Sequence, residues 1–130
     1  MNLHLSALML GVRDLDRAKK FYAEGLGCEI EKDTRHFALL NLGDGSPQLA
    51  LYEWDAAAQD AGVSAEGTGF RGASFHYNPA TRAEVDETIA KAVAAGGSVV
   101  KEAAAAQWGG YFGYFSDPDG YLWKVTTYGE

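Results

Sequence analysis

Cysteine is almost missing from this chain: Cys28 stands alone among 130 residues. No internal disulfide can form, and a lone thiol suits a reduced, cytoplasmic setting. With three prolines, the punctuation of the chain falls to its 16 glycines. No stretch approaches the roughly 18 apolar residues of a membrane-spanning helix. The opening Met1 to Val12 has no basic leader and no cleavage-like site, and reads as a strand. Basic residues are also scarce. Eleven Lys and Arg face 18 Asp and Glu, for a net charge of −7. A nucleic-acid binder needs a basic stripe to meet phosphates, and an anionic membrane attracts the same kind of surface. Neither partner is expected. Hydrophobic residues make up 47% and charged residues 22%, the balance of a folded chain rather than a disordered one. The length suits one domain or two small fused modules.

Periodicity divides the chain into two similar halves. Leu3 to Gly11 is apolar on both faces, which predicts a central strand. Asp14 is placed to cap a helix carrying Leu15, Ala18, Phe21 and Tyr22 on one face, and Gly25-Leu26-Gly27 ends it. Strands follow over Cys28 to Glu31, Phe37 to Leu42 and Gln48 to Glu53. Trp54 to Arg71, rich in Ala, Gly, Asp and Ser, reads as a link with a short helix at Ala56 to Ala61. The order then repeats. Ala73 to Tyr77 is a strand, and Thr81 with Glu84 forms a capping box. Val85, Ile89, Ala92 and Val93 stripe the helix, which Gly96-Gly97 ends. Ser98 to Lys101, Tyr111 to Phe115 and Tyr121 to Thr127 are strands, the last two joined by Asp117-Pro118-Asp119-Gly120. The predicted fold class is α+β: two βαβββ modules over 1–55 and 72–130, joined by a linker over 56–71. Their curved mixed sheets are expected to enclose a cleft.

Gly11-Val12-Arg13-Asp14-Leu15-Asp16-Arg17-Ala18-Lys19-Lys20-Phe21-Tyr22, followed by Gly25-Leu26-Gly27, resembles the start of vicinal oxygen chelate proteins. That superfamily holds glyoxalase I, extradiol dioxygenases, and fosfomycin- and bleomycin-resistance proteins. Ala95-Gly96-Gly97 and Ser116-Asp117-Pro118-Asp119-Gly120-Tyr121-Leu122-Trp123 resemble its second module. The likeness implies the fold and, for small members, a homodimer. It also implies a divalent metal on four inward-facing His, Gln or Glu side chains, with open positions for substrate oxygens.

Mapped onto this chain, those four positions fall at Ala7, near Leu51 with Glu53 on the same face, at Ala73 or Ser74, and at Lys124. Alanine offers no donor atom, and lysine places a cation where a carboxylate would bind metal. No metal ligand set and no catalytic residue is therefore assigned. His4 and His76 are expected on the opposite strand faces, and His36 near an exposed strand end. A one-residue shift in register would turn His76 inward.

Other motifs carry less. Gly67-Thr68-Gly69-Phe70-Arg71-Gly72 matches a dinucleotide pattern but precedes a strand instead of opening a helix. Asp117 to Gly120 lacks the further ligands of a calcium loop. Cys28 lies beside Glu29 and Glu31, which would raise its pKa. Trp108-Gly109-Gly110-Tyr111 enters a strand through two glycines; the resemblance places this stretch at the mouth of the cleft, where Trp108 would suit either a stacking platform or simple packing.

The leading expectation is a metal-free protein that binds a small, partly aromatic organic molecule. Trp108, Tyr111 and Leu51 would meet its apolar part. Lys124 and Glu53 would select its polar end or pair with each other. The alternative is a divalent-metal-dependent lyase, isomerase or dioxygenase with atypical ligands. A third possibility is a dimeric module with no ligand.

Overall fold

The computed structural model describes residues 5–61, 64–67, 71, 74–107 and 109–130. It divides into two compact units, Met1–Gly67 and Thr68–Glu130. The first contains β1 (Ala7–Val12), α1 (Leu15–Lys19), β2 (Glu29–Asp33), β3 (Phe37–Asn41), β4 (Gln48–Glu53) and α2 (Trp54–Ala61). The second contains β5 (Phe75–Tyr77), α3 (Arg82–Ala94), β6 (Ser98–Ala105), β7 (Tyr111–Ser116) and β8 (Leu122–Thr127). The sheet orders are β1-β4-β3-β2 and β5-β8-β7-β6. In each sheet the first strand runs parallel to the last, and the other pairs are antiparallel. The class is α+β with one βαβββ topology used twice, as the repeated element order implied.

Local chemistry sets the element ends. The Asp14 carboxylate accepts a hydrogen bond from the Arg17 backbone N–H at 3.0 Å, opening α1. The helix widens into a π-helical stretch over Lys20–Gly25, and Gly27 takes the left-handed conformation (φ 84°) beyond it. At α3, Thr81 Oγ1 accepts from the Glu84 N–H at 3.1 Å. The Glu84 carboxylate reaches back to the Ala80 N–H, one residue before the cap. Between β7 and β8, one Asp117 carboxylate oxygen accepts from the backbone N–H groups of Asp119 and Tyr121, each at 2.9 Å. That carboxylate belongs to a residue only 3% exposed, so the two donors answer its burial.

In the first unit, Leu10, Val12, Ala38, Leu40, Leu49 and Leu51 share one sheet face by register and are buried. Leu15, Ala18, Phe21 and Tyr22 of the first helical segment are buried as well, and α1 packs on β3 and β4. Trp54 of α2 lies against the other face, over Gly11, where an added Cβ would stand 3.5 Å from the indole. Trp54 is fixed further by its indole N–H, which donates to the Ala65 carbonyl at 2.7 Å, and by the Arg13 guanidinium 4.2 Å from its ring centre.

One expectation is corrected here. The strand β1 lies at one end of its sheet order, not in the middle. It reads as apolar on both faces because Leu10 and Val12 are buried on one and Trp54 covers Gly11 on the other. The short helix expected at Ala56 to Ala61 is present as α2, which begins two residues earlier at Trp54 and packs on β1 and β4.

In the second unit, Val85, Ile89 and Ala92 of α3 are buried with Phe115, Val125 and Thr127 of the sheet. Phe75, Trp123 and Phe115 form one cross-strand row, with Phe115 and Trp123 parallel at 6.1 Å and Phe75 edge-on to Trp123 at 5.1 Å. The alanine run after Lys101 extends β6 to Ala105, four residues beyond the expected end.

Candidate functional site

Strand alternation decides what each sheet presents away from its helix. In β7, a Cβ added at Gly113 would stand 2.8 Å from Ile89 Cδ1 of α3. Tyr111, Gly113 and Phe115 therefore face α3, and Phe112, Tyr114 and Ser116 face away. Register carries this parity across the sheet. Tyr114 is paired with Lys101 on β6 and Lys124 on β8, and Lys124 with His76 on β5. Lys101, Tyr114, Lys124 and His76 thus form one row across all four strands, on the face opposite α3. A bulge between Val99 and Lys101 makes room for Lys101 in that row.

The Phe112 ring lies beside the row. The Lys124 ammonium sits 4.6 Å from its centre and the Lys101 ammonium 4.7 Å. Tyr114 meets Phe112 edge-on at 6.2 Å. His76 Nε2 is 3.4 Å from Ser74 Oγ. The result is a basic and aromatic surface within an acidic chain.

Lys124 thus shares its face with His76, which the spacing had placed on the opposite side of β5. The three-residue strand β5 is too short for alternation to set its parity, and its pairing with β8 sets it instead. Tyr111 is corrected in the other direction. Its hydroxyl donates to Asp86 of α3 at 2.7 Å, and the Arg82 guanidinium lies 5.2 Å from its ring. That hydrogen bond raises the Tyr111 pKa, with a smaller contribution from burial. Tyr111 is therefore tied to the helix side and does not join the row. Trp108, Ala73 and His4 lie outside the described residues.

In the first unit, Leu51 is fully buried on the α1 face. It cannot touch a ligand, which corrects its expected role. Glu53 follows the same parity at the strand end, where its carboxylate lies 2.8 Å from His36 Nδ1. The face away from α1 carries Ala7, Met9 and Gly11 from β1, and Gln48, Ala50 and Tyr52 from β4. The apolar run Leu49-Ala50-Leu51-Tyr52 hid this parity, because both faces of β4 read alike. Gln48 donates to Glu31 at 2.7 Å and to Asn41 at 2.8 Å, and Asn41 donates to Glu29 at 3.0 Å. Near them, Leu26 to Glu29, Asn41 to Asp44, Ser46 and Gln48 line an open groove of about 640 Å³. The Cys28 pKa is raised by burial, not by Glu29 and Glu31 as the sequence suggested.

These residues fit a catalytic metal poorly. Ala7 supplies no donor, Leu51 points into the core, and Lys124 brings a positive charge. His36 and Glu53 are two potential ligands side by side. Among the described residues, no group of three His, Cys, Asp or Glu gathers as a metal site would require. Among them, too, no helix is long and apolar enough to cross a membrane.

Comparison with known proteins gives consistent results. A probable lactoylglutathione lyase of Vibrio parahaemolyticus is 27% identical over 124 residues, spanning 88% of this chain and 83% of that protein. A glyoxalase-related enzyme from Fulvimarina pelagi superposes with a TM-score of 0.83 at 27% identity, covering 95% of this chain and 87% of the other. A glyoxalase/bleomycin resistance protein/dioxygenase family enzyme from Burkholderia phytofirmans gives a TM-score of 0.84 over 96% and 98% of the two chains. At 19% identity that likeness speaks for the fold alone. The family model for this group matches residues 4–125. The chain belongs to the Glyoxalase/Bleomycin resistance protein/Dioxygenase superfamily.

Proposed function

We propose that this chain binds a small, partly aromatic organic molecule and holds it without a catalytic metal. The placement of Lys124 carries this reading. Its ammonium lies over the Phe112 ring, on the sheet face opposite α3, at a position where the superfamily resemblance calls for an acid. An ammonium has no lone pair to give a metal and repels a divalent cation, yet it suits the polar end of an organic ligand. Phe112 and Tyr114 supply apolar area beside it. Trp108 stays in the proposed site on the strength of its position in the sequence, just before Gly109-Gly110. Glu53 meets His36 through one carboxylate oxygen, which leaves the other to accept from a ligand. Two copies of the chain are proposed to associate, which light scattering would test.

Metal analysis of protein purified without chelator tests the proposal. Substoichiometric Fe, Mn, Ni and Zn is the expected result. One equivalent of any of them would overturn it in favour of a metal-dependent lyase, isomerase or dioxygenase. The 27% likeness to a probable lactoylglutathione lyase is the observation that favours this second reading.

A further inference from the structure

We infer that the face of the second sheet opposite α3 selects organic anions, small molecules that join an oxyanion head to an aromatic body. The inference rests on the binding function proposed above and adds the charge of the ligand to it. Its basis is the cross-strand row Lys101, Tyr114, Lys124 and His76, with Phe112 beside it. Lys101 and Lys124 are two strands apart, a backbone separation of roughly 10 Å. Their ammonium groups nevertheless converge on one ring, at 4.7 Å and 4.6 Å from its centre. Each gains a cation–π contact there. Each ammonium can also donate a charge-assisted hydrogen bond to a ligand oxyanion, while Phe112 and Tyr114 offer apolar area beside it for an aromatic body.

The remaining members of the row fit the same ligand. Tyr114 has a hydroxyl, and His76, held near Ser74, has ring nitrogens at the far end of the row. The row contains no carboxylate, although acidic residues outnumber basic ones by 18 to 11 in the chain. Three strand spacings give the row a length of roughly 14 Å, enough for a two-ring aromatic lying across Phe112 and Tyr114.

The test pairs anilinonaphthalene sulfonate with phenylnaphthylamine, its uncharged parent, each titrated by fluorescence. The expected result is saturable binding of the sulfonate at least tenfold tighter than of the neutral compound. Lys101→Gln and Lys124→Gln should each weaken sulfonate binding roughly tenfold or more, as expected for loss of a charged hydrogen-bond donor, and leave the neutral compound unchanged. Lys124→Arg, which keeps the charge, should restore most of the sulfonate affinity. Thermal melts identify any variant that has lost its fold, and the exposed Lys101 provides a second position where folding is not at stake. Equal affinity for the two compounds, indifferent to both lysines, would overturn anion selection and leave the small-molecule reading standing. Saturable binding of neither compound would overturn both.

Discussion

Gly113→Ala tests the parity on which the site assignment depends. Gly113 faces α3, and the new methyl would stand 2.8 Å from Ile89 Cδ1, 2.9 Å from the Ala103 nitrogen and 2.9 Å from the Lys101 carbonyl oxygen. The Ile89 methyl is the end of a side chain and can move. The other two atoms are backbone of β6, which cannot swing aside as a side-chain end can. Overpacking of this kind costs about 1–3 kcal/mol. Replacing a strand glycine by alanine returns roughly 0.5–1 kcal/mol through the unfolded chain. The backbone contacts place the cost in the upper half of its range, so the net loss should be about 1–2.5 kcal/mol. Thermal melting should fall by roughly 4 °C for each kcal/mol. Adding Ile89→Val removes the δ-methyl and relieves one of the three contacts. The double variant should therefore be more stable than the sum of the single losses predicts. A Gly113→Ala protein as stable as the parent would refute the reasoning, because it would mean that the odd residues of β7 do not face α3. Phe112 and Lys124 would then lose their assigned face as well.

Asp117→Ala should cost about 2–4 kcal/mol in denaturant unfolding, since a buried carboxylate oxygen satisfies two backbone donors. Asp117→Asn, which keeps an acceptor oxygen, should cost clearly less; equal losses would show that those hydrogen bonds do not hold the turn. The hydrogen bond to Asp86 raises the Tyr111 pKa above its ordinary value of 10.0. Its stabilising contribution is therefore present in full below about pH 10 and lost as pH rises through the raised value. The stability gap between the parent and Tyr111→Phe should narrow over that range, and a gap that ignores pH would rule the contact out. Cys28, whose thiol is pushed up by burial, should alkylate with iodoacetamide more slowly at pH 8 than a free small thiol does. Equal rates would contradict the burial.

Most element boundaries were readable from side-chain chemistry. Asp14, Thr81 and Gly96 mark helix ends because capping and left-handed turns depend on local atoms. Asp117 to Gly120 marks a turn for the same reason. The site was less legible. Phe112 and Tyr114 read as two more core aromatics in an aromatic half of the chain. Lys101 had no signal, since a lysine on an edge strand is ordinary. What joins it to Lys124 is a bulge in β6, and a bulge leaves no reliable mark in an alanine-rich strand.

By itself, the lone cysteine ruled out an internal disulfide, the acidic excess argued against nucleic-acid and anionic-membrane partners, and the repeated order of strands and helix pointed to the fold. These depend on composition and on neighbours a few residues apart. Only the tertiary structure decided which side chains face which way. Leu51 went to the core, Glu53 to His36, and Tyr111 to Asp86, while His76 came alongside Lys124. The physical reason is the two-residue period of a strand. Where both faces are apolar, or the strand is three residues long, the pattern fits either parity, and the pairing with neighbouring strands makes the choice.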